Sequence, residues 1–238
     1  MSPTVVLVHG AFADASGWGG VITRLNAAGY ATLAPANPLR SLSSDAEYVR
    51  SVLATIEGDV VLVGHSYGGA VLTNAAVGAP NVKALVYIAA FALDEGEAVG
   101  AATALGADGP PPDFTQLVDL RPFPGAGEGN ADAYLKLEIF HQGFCQDLDD
   151  ELAAIMAVAQ RPAALATLVE PSGPPAWKTI PSWYLVASSD RTIPPAAERV
   201  MAERAGATTV EIESSHVAMI SHPDEVTALI QQAIDAVG

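Results

Sequence analysis

Gly64-His65-Ser66-Tyr67-Gly68 follows directly on the apolar run 59–63 and opens a helical pattern. A G-x-S-x-G pattern between a strand and a helix makes a sharp turn that strains the serine and exposes its hydroxyl. Gly64 and Gly68 suit such a turn because a Cβ would collide there, and Gly69 lets the helix pack close. The chemistry this implies is nucleophilic attack by Ser66. Without that context the bare pattern is short and also describes a coincidental Gly-rich turn.

A serine hydroxyl is a weak nucleophile near neutral pH and needs an adjacent base. Ser214-Ser215-His216 follows the expected strand 208–212 and offers His216; the alternative for it is a surface-loop histidine. His222 competes, but it stands beside Pro223 at the start of the last helical pattern. The base in turn needs an acid to hold one tautomer and stabilise the imidazolium. Ser188-Ser189-Asp190-Arg191 follows the run 182–187 and offers Asp190. Its alternatives are a carboxylate at a helix N-terminus or a partner for Arg191. Negative charge developing on a tetrahedral oxygen needs preorganised donors. The expected donors are the backbone N–H of Tyr67 and that of Ala11, in the loop His9-Gly10-Ala11-Phe12. His9 itself reads as a brace for that loop.

These residues need a scaffold that brings them to one place. Apolar runs at 4–8, 30–34, 59–63 and 82–89 alternate with helical patterns at 18–28, 44–56 and 67–77. Gly29 closes the first helix, and Ser43 or Ser44 caps the second with Glu47 near its third position. After residue 93 the alternation stops. Gly and Pro are dense between 106 and 129, and helical patterns follow at 131–142 and 149–160, with no clear strand before 177. So long an excursion inside an α/β domain reads as an inserted lid. Strand and helix then resume as 182–187, 195–205, 208–212 and 224–237, and Pro194 and Pro195 suit a helix start.

Continuous, largely apolar strands alternating with helices imply an α/β fold with a mostly parallel sheet of about six strands, flanked by helices. Right-handed crossovers put the strands' C-terminal ends on one edge, where ligands bind. The expected organisation is a core of residues 1–93 and 179–238 with a helical lid insertion at 94–178.

The chain has 238 residues, enough for one domain with a sizeable core. Half of them are hydrophobic and 16% are charged, which excludes a disordered chain. The net charge of -16, from 27 acidic and 11 basic residues, argues against nucleic-acid binding and electrostatic membrane docking. Cys145 is the single cysteine, so neither an internal disulfide nor a cysteine metal site is available. No basic segment opens the chain, and no run approaches the roughly 18 apolar residues of a membrane span. A cytoplasmic protein is expected, with no metal and no organic cofactor. Oligomeric state is not readable from the sequence.

The segments VVLVHGAF, ANPLR, VVLVGHSYGGAV, SSDRTIPP and SSHVAMISHPDEV run in an order that resembles the α/β-hydrolase superfamily. Ser, then Asp, then His is that superfamily's chain order for its triad. Within it the chain resembles an esterase-like branch related to plant methyl esterases and hydroxynitrile lyases. In the lid the likeness is mainly the stretch FHQGFCQDL…QRP. The resemblance implies a carboxylic ester hydrolase acting on a small-molecule ester through an acyl-enzyme. Lyases of this branch typically carry Thr after the loop His and Lys after the catalytic His; here the residues are Gly10 and Val217, which favours the esterase. It also implies a pocket between Ser66 and the lid, with Gly10, Phe12, Phe91, Leu93, His141 and Val217 as substrate-binding candidates and Tyr67 as a further wall. Cys145 and Met156 are lid candidates, Trp18 is expected to pack on the sheet, and Trp177 and Trp183 flank the re-entry point. Three other readings are a cofactor-free lyase or C–C bond hydrolase, a dehalogenase or epoxide hydrolase, and a ligand-binding protein on the same scaffold. Ser66 at the elbow argues against the second, which typically uses an Asp nucleophile.

Overall fold

Uncharged, β-branched runs become the central strands because both their faces are covered. Val5 to Val8 and Val60 to Val63 are fully buried, as expected of strands sandwiched between helical layers. The computed structural model describes residues 2–107, 109 and 113–238; Met1 and, within the Gly/Pro-rich stretch, Asp108 and 110–112 lie outside the described residues.

The chain begins with β1 (Thr4–Val8), α1 (Gly19–Ala27), β2 (Thr32–Leu33), α2 (Leu42–Leu53), β3 (Val60–Ser66), α3 (Tyr67–Ala75) and β4 (Val82–Ala90). An excursion follows, with α4 (Val99–Ala102), β5 (Val118–Arg121), β6 (Asp132–Leu135), α5 (Leu137–Phe144), α6 (Asp150–Ala159), β7 (Ala163–Ala164) and α7 (Ala166–Val169). The chain then resumes as β8 (Ser182–Ala187), α8 (Pro195–Arg204), β9 (Thr208–Ile212), α9 (Ala218–Ser221) and α10 (Pro223–Val237).

The main sheet has six strands in the order β2-β1-β3-β4-β8-β9, and every pair in it is parallel. The expected α/β architecture is therefore the observed one. All C-terminal strand ends share one edge, and the loops after β1, β3, β8 and β9 meet there. Local boundaries move slightly. The second helix starts two residues earlier than its pattern suggested, because Ser41 caps it by accepting the N–H of Ser44.

The excursion departs from expectation. It contains a three-stranded antiparallel sheet, β5-β6-β7, where no strand was expected. Residues 132–135, read as the start of a helix, pair with β5 and β7 instead. Asp132 at this point forms an ion pair with Arg40 of the core, 2.8 Å apart. The N–H of Ala164 donates to the Leu39 carbonyl at 3.0 Å, a second tie from this small sheet to the core. Its insertion is thus mixed helix and sheet rather than helical. Among the described residues no helix is long and apolar enough to cross a membrane.

Candidate active site

Ser66 ends β3 and Tyr67 begins α3, so one peptide unit carries the chain from strand to helix. The turn requires φ +53° at Ser66, a left-handed conformation that a side chain rarely adopts. Glycine permits the turn on both sides. A Cβ on Gly64 would sit 2.6 Å from the Gly68 carbonyl oxygen, and one on Gly68 would collide with the Val8 carbonyl. Ser66 is buried to 5% exposure and lines a cavity of about 430 Å³.

His216 follows β9, and Asp190 follows β8. His216 Nδ1 lies 2.5 Å from Asp190 Oδ2, and neither side chain is exposed. Asp190 Oδ1 accepts the N–H groups of Thr192 at 2.6 Å and Ile193 at 2.9 Å. Both carboxylate oxygens are thus occupied, and the imidazole's Nδ1 proton is directed to the acid. The alternative pairing of Asp190 with Arg191 is not formed; the Arg191 guanidinium binds the carbonyl and side chain of Gln142. His222 bonds Ser221 Oγ at 2.9 Å and sits away from this arrangement.

Among the described residues His216 Nε2 is buried without a hydrogen-bond partner, and Ser66 Oγ does not reach it. Nucleophile–base bonds are commonly long until substrate tightens them. The ring is held beside the elbow by its neighbours. His65 Nε2 donates to the His216 carbonyl at 2.8 Å, and the two rings are 4.7 Å apart. Phe144 packs edge-on against the other side of the His216 ring at 5.1 Å.

Burial, first, and the neighbouring His216 hold the His65 imidazole well below its usual range, so it is neutral. His9 is lowered too, chiefly by burial. Its Nδ1 donates to the Gly10 carbonyl at 2.8 Å, while Nε2 accepts the Asn37 N–H at 2.9 Å. His9 therefore braces the loop after β1. In that loop Phe12 also takes a positive φ, +60°.

The loop bears directly on the elbow. A Cβ on Gly10 would come within 2.7 Å of Ser66 Cβ. Ala11 and Tyr67 line the cavity beside Ser66. Tyr67 is the first residue of α3, so its N–H has no intrahelical acceptor. Among the described residues the Ala11 N–H also has no intramolecular acceptor. The Tyr67 hydroxyl is turned away and donates to buried Asp45 at 2.8 Å.

Of the substrate-binding candidates, Phe12 and Phe91 line the cavity. Gly10 packs beneath Ser66. Leu93 and Val217 are fully buried, and the Leu93 carbonyl accepts the Trp177 indole N–H at 2.9 Å. His141 turns within the excursion, with Nε2 on the Leu148 carbonyl at 3.0 Å and Nδ1 3.3 Å from Asp150. Much of the remaining wall comes from residues that no sequence pattern singled out: Phe114, Leu117, Leu135, Ile139 and Leu168. Glu138, Gln142 and Arg191 add polar groups to it. Cys145 is buried and its thiol is pushed up to about 12, by burial first and then by Asp147. Among the described residues no group of three or more His, Cys, Asp or Glu side chains is arranged to hold a metal ion.

The segment 142–147 joins the excursion to both loops that carry the candidate acid and base. The Gly143 carbonyl accepts the Thr192 hydroxyl at 2.8 Å, and Gln146 Nε2 donates to the Ser189 carbonyl at 2.7 Å. Asp147 Oδ2 accepts the Ser215 N–H at 2.7 Å. These contacts flank Asp190 and His216 and were invisible to motif reading.

A model of the alpha/beta hydrolase family matches residues 5–229. Over nearly its whole length the chain is 25% identical to an alpha/beta hydrolase of Aspergillus novofumigatus, with 98% of this chain and 97% of that protein aligned. It is 36% identical over 107 residues to a carbendazim hydrolyzing esterase of Nocardioides sp., covering 40% of this chain and 44% of that one. A solved methylesterase from Arabidopsis superposes with a TM-score of 0.78 at 20% identity, covering 98% of this chain and 99% of the other. At that identity the likeness is one of fold.

Proposed function

The chain belongs to the alpha/beta hydrolase family, and from that premise we propose that it is a serine esterase of small, largely apolar carboxylic esters. The observation that carries this reading is the buried His216–Asp190 pair at 2.5 Å, with His216 Nε2 left unpartnered beside a strained Ser66. An imidazole fixed on one side by an acid and free on the other is a base awaiting a proton.

In this reading Ser66 Oγ attacks the ester carbonyl while His216 Nε2 takes its proton. Asp190 orients the ring and stabilises the imidazolium. The N–H groups of Ala11 and Tyr67 hold the oxyanion. His216 then protonates the departing alcohol, and water resolves the acyl-enzyme by the same steps in reverse. The excursion at 94–178 acts as the lid over a cavity of about 430 Å³, a volume suited to a small organic ester. Its predominantly apolar wall favours uncharged acyl and alcohol parts. Val217, buried and uncharged, offers no cation to a departing cyanide, which disfavours the lyase.

The test is turnover of p-nitrophenyl acetate and butyrate by the wild type and Ser66→Ala, with fluorophosphonate labelling of both. The expected result is a burst and steady turnover in the wild type, with turnover and labelling lost in the variant. A wild type showing no burst, no turnover and no label would leave the scaffold a binding protein. Cyanohydrin or diketone cleavage without a burst would move it to the lyase or C–C hydrolase.

A further inference from the structure

Behind Asp190 lies a second carboxyl, that of Glu198, on the first turn of α8. It is fully buried. Its Oε2 accepts the Ala187 N–H at 3.0 Å, and its Oε1 has no partner if both oxygens are only acceptors. The Ala187 carbonyl in turn accepts the Asp190 N–H at 3.1 Å, so Ala187 anchors both acids. Among the described residues no basic side chain forms an ion pair or hydrogen bond with Glu198. Its neighbour Arg199 points outward and forks onto Glu211, at 2.9 and 2.6 Å. The other ionisable groups packed here are Asp190, His216 and Tyr184, whose hydroxyl bonds the Ala90 carbonyl.

Two buried carboxyls side by side cannot both ionise without a large cost. Asp190 is the one supplied with three donors: two N–H groups and His216. The proton therefore belongs on Glu198, where it gives the orphaned Oε1 a hydrogen to donate. We propose that Glu198 is a positioning residue for the triad, a buried neutral carboxyl that donates a hydrogen bond to Asp190 and so fixes the acid that orients His216. Burial, foremost, then the Asp190 charge and a hydrogen bond between the two, raise the Glu198 carboxyl well above the usual range.

The proposal rests on the serine-esterase reading, so fluorophosphonate labelling of every variant is run first. Absence of label in the wild type defeats that reading; a labelled enzyme isolates the role of Glu198. Glu198→Gln keeps the volume, the neutrality and an N–H donor. Its kcat on p-nitrophenyl butyrate should stay within about threefold of wild type, and the acid limb of kcat/KM against pH should not move. Glu198→Leu removes the donor. Its kcat should fall about tenfold at unchanged KM, with the acid limb moved up as Asp190 becomes a stronger acceptor.

A drop of about one pH unit or more in the Gln variant's acid limb would mean that Glu198 is ionised in the wild type, and would overturn the proposal. So would wild-type kcat in the Leu variant. If the Leu variant does not fold, infrared difference spectra decide. The C=O stretch of a buried protonated carboxyl should be present in the wild type and missing from Glu198→Gln; its absence from the wild type defeats the proposal.

Discussion

His216 and Asp190 meet through a single 2.5 Å contact with both side chains out of solvent, while two backbone N–H groups also donate to Asp190. Asparagine keeps the shape of the acid and an oxygen for the two backbone N–H groups, so this exchange falls chiefly on the histidine. Asp190→Asn should fold normally and lose about 10³–10⁴ in kcat, because the amide favours the wrong tautomer. Steady-state hydrolysis of p-nitrophenyl butyrate, with circular dichroism as the folding control, measures this. A kcat within tenfold of wild type would remove Asp190 from the mechanism.

Gly10 has no room for a side chain against the elbow. A methyl there would approach Ser66 Cβ to 2.7 Å. Gly10→Ala should therefore displace the nucleophile and lower kcat by about 10². Overpacking of this kind costs about 1–3 kcal/mol, or roughly 2–12 °C of Tm for a chain of this size. Differential scanning fluorimetry and the ester assay on the same sample report both effects, and an unaltered pair of values would contradict the geometry.

His65 makes stability depend on acid. Its native pKa lies well below the ordinary 6.5, so beneath that pH the unfolded chain binds a proton that the native state refuses. Stability contributed by the neutral ring is complete above pH 6.5 and is lost as pH falls toward the depressed native value. The slope for one such group is at most about 1.4 kcal/mol per pH unit. His65→Gln can still donate to the His216 carbonyl but does not titrate. Urea denaturation at pH 7.5 and 5.0 should show a smaller acid loss for the variant than for the wild type; equal losses would show that His65 titrates normally.

Asp147 ties the excursion to the loop bearing His216 by its bond to the Ser215 N–H. Asp147→Ala should release that loop and reduce kcat about tenfold with a smaller change in KM, since orientation is lost before affinity. A variant whose KM rises at constant kcat would place Asp147 in substrate binding instead.

Cys145 should be inert. A buried thiol pushed up to about 12 carries almost no thiolate at neutral pH. Native enzyme should take up less than about 0.1 equivalent of a thiol reagent while denatured enzyme takes up one. Cys145→Ser should retain full esterase activity; loss of turnover would implicate the thiol.

The main sheet was legible because its inner strands are buried on both faces and read as largely apolar runs, although the edge strand β9 is mostly exposed. The proposed triad residues Ser66, Asp190 and His216 stood out because Ser66 ends β3 and the other two lie in the turns that follow β8 and β9. The excursion was not legible for the opposite reason. Residues of β5, Val118–Arg121, are mostly exposed, and β6 mixes Asp132 and Tyr134 with buried Ala133 and Leu135. Pairing partners decide strands this short, and partners distant in sequence leave no local periodicity. Glu198 was hidden differently: an acidic residue in the first turn of a helix reads as a complement to the helix dipole. Only its burial distinguishes it from a surface carboxylate.

The contacts of 142–147 bear on how this enzyme could be altered. Substrate range in such a chain would be changed by exchanging the lid for another, as if the lid were a detachable module. Here the same short segment is stitched to Ser189, Thr192 and Ser215. A transplant that replaced it would import a new pocket and detune the loops carrying the proposed acid and base in one step. The small sheet and its flanking apolar residues can be redrawn freely only if that seam is left in place.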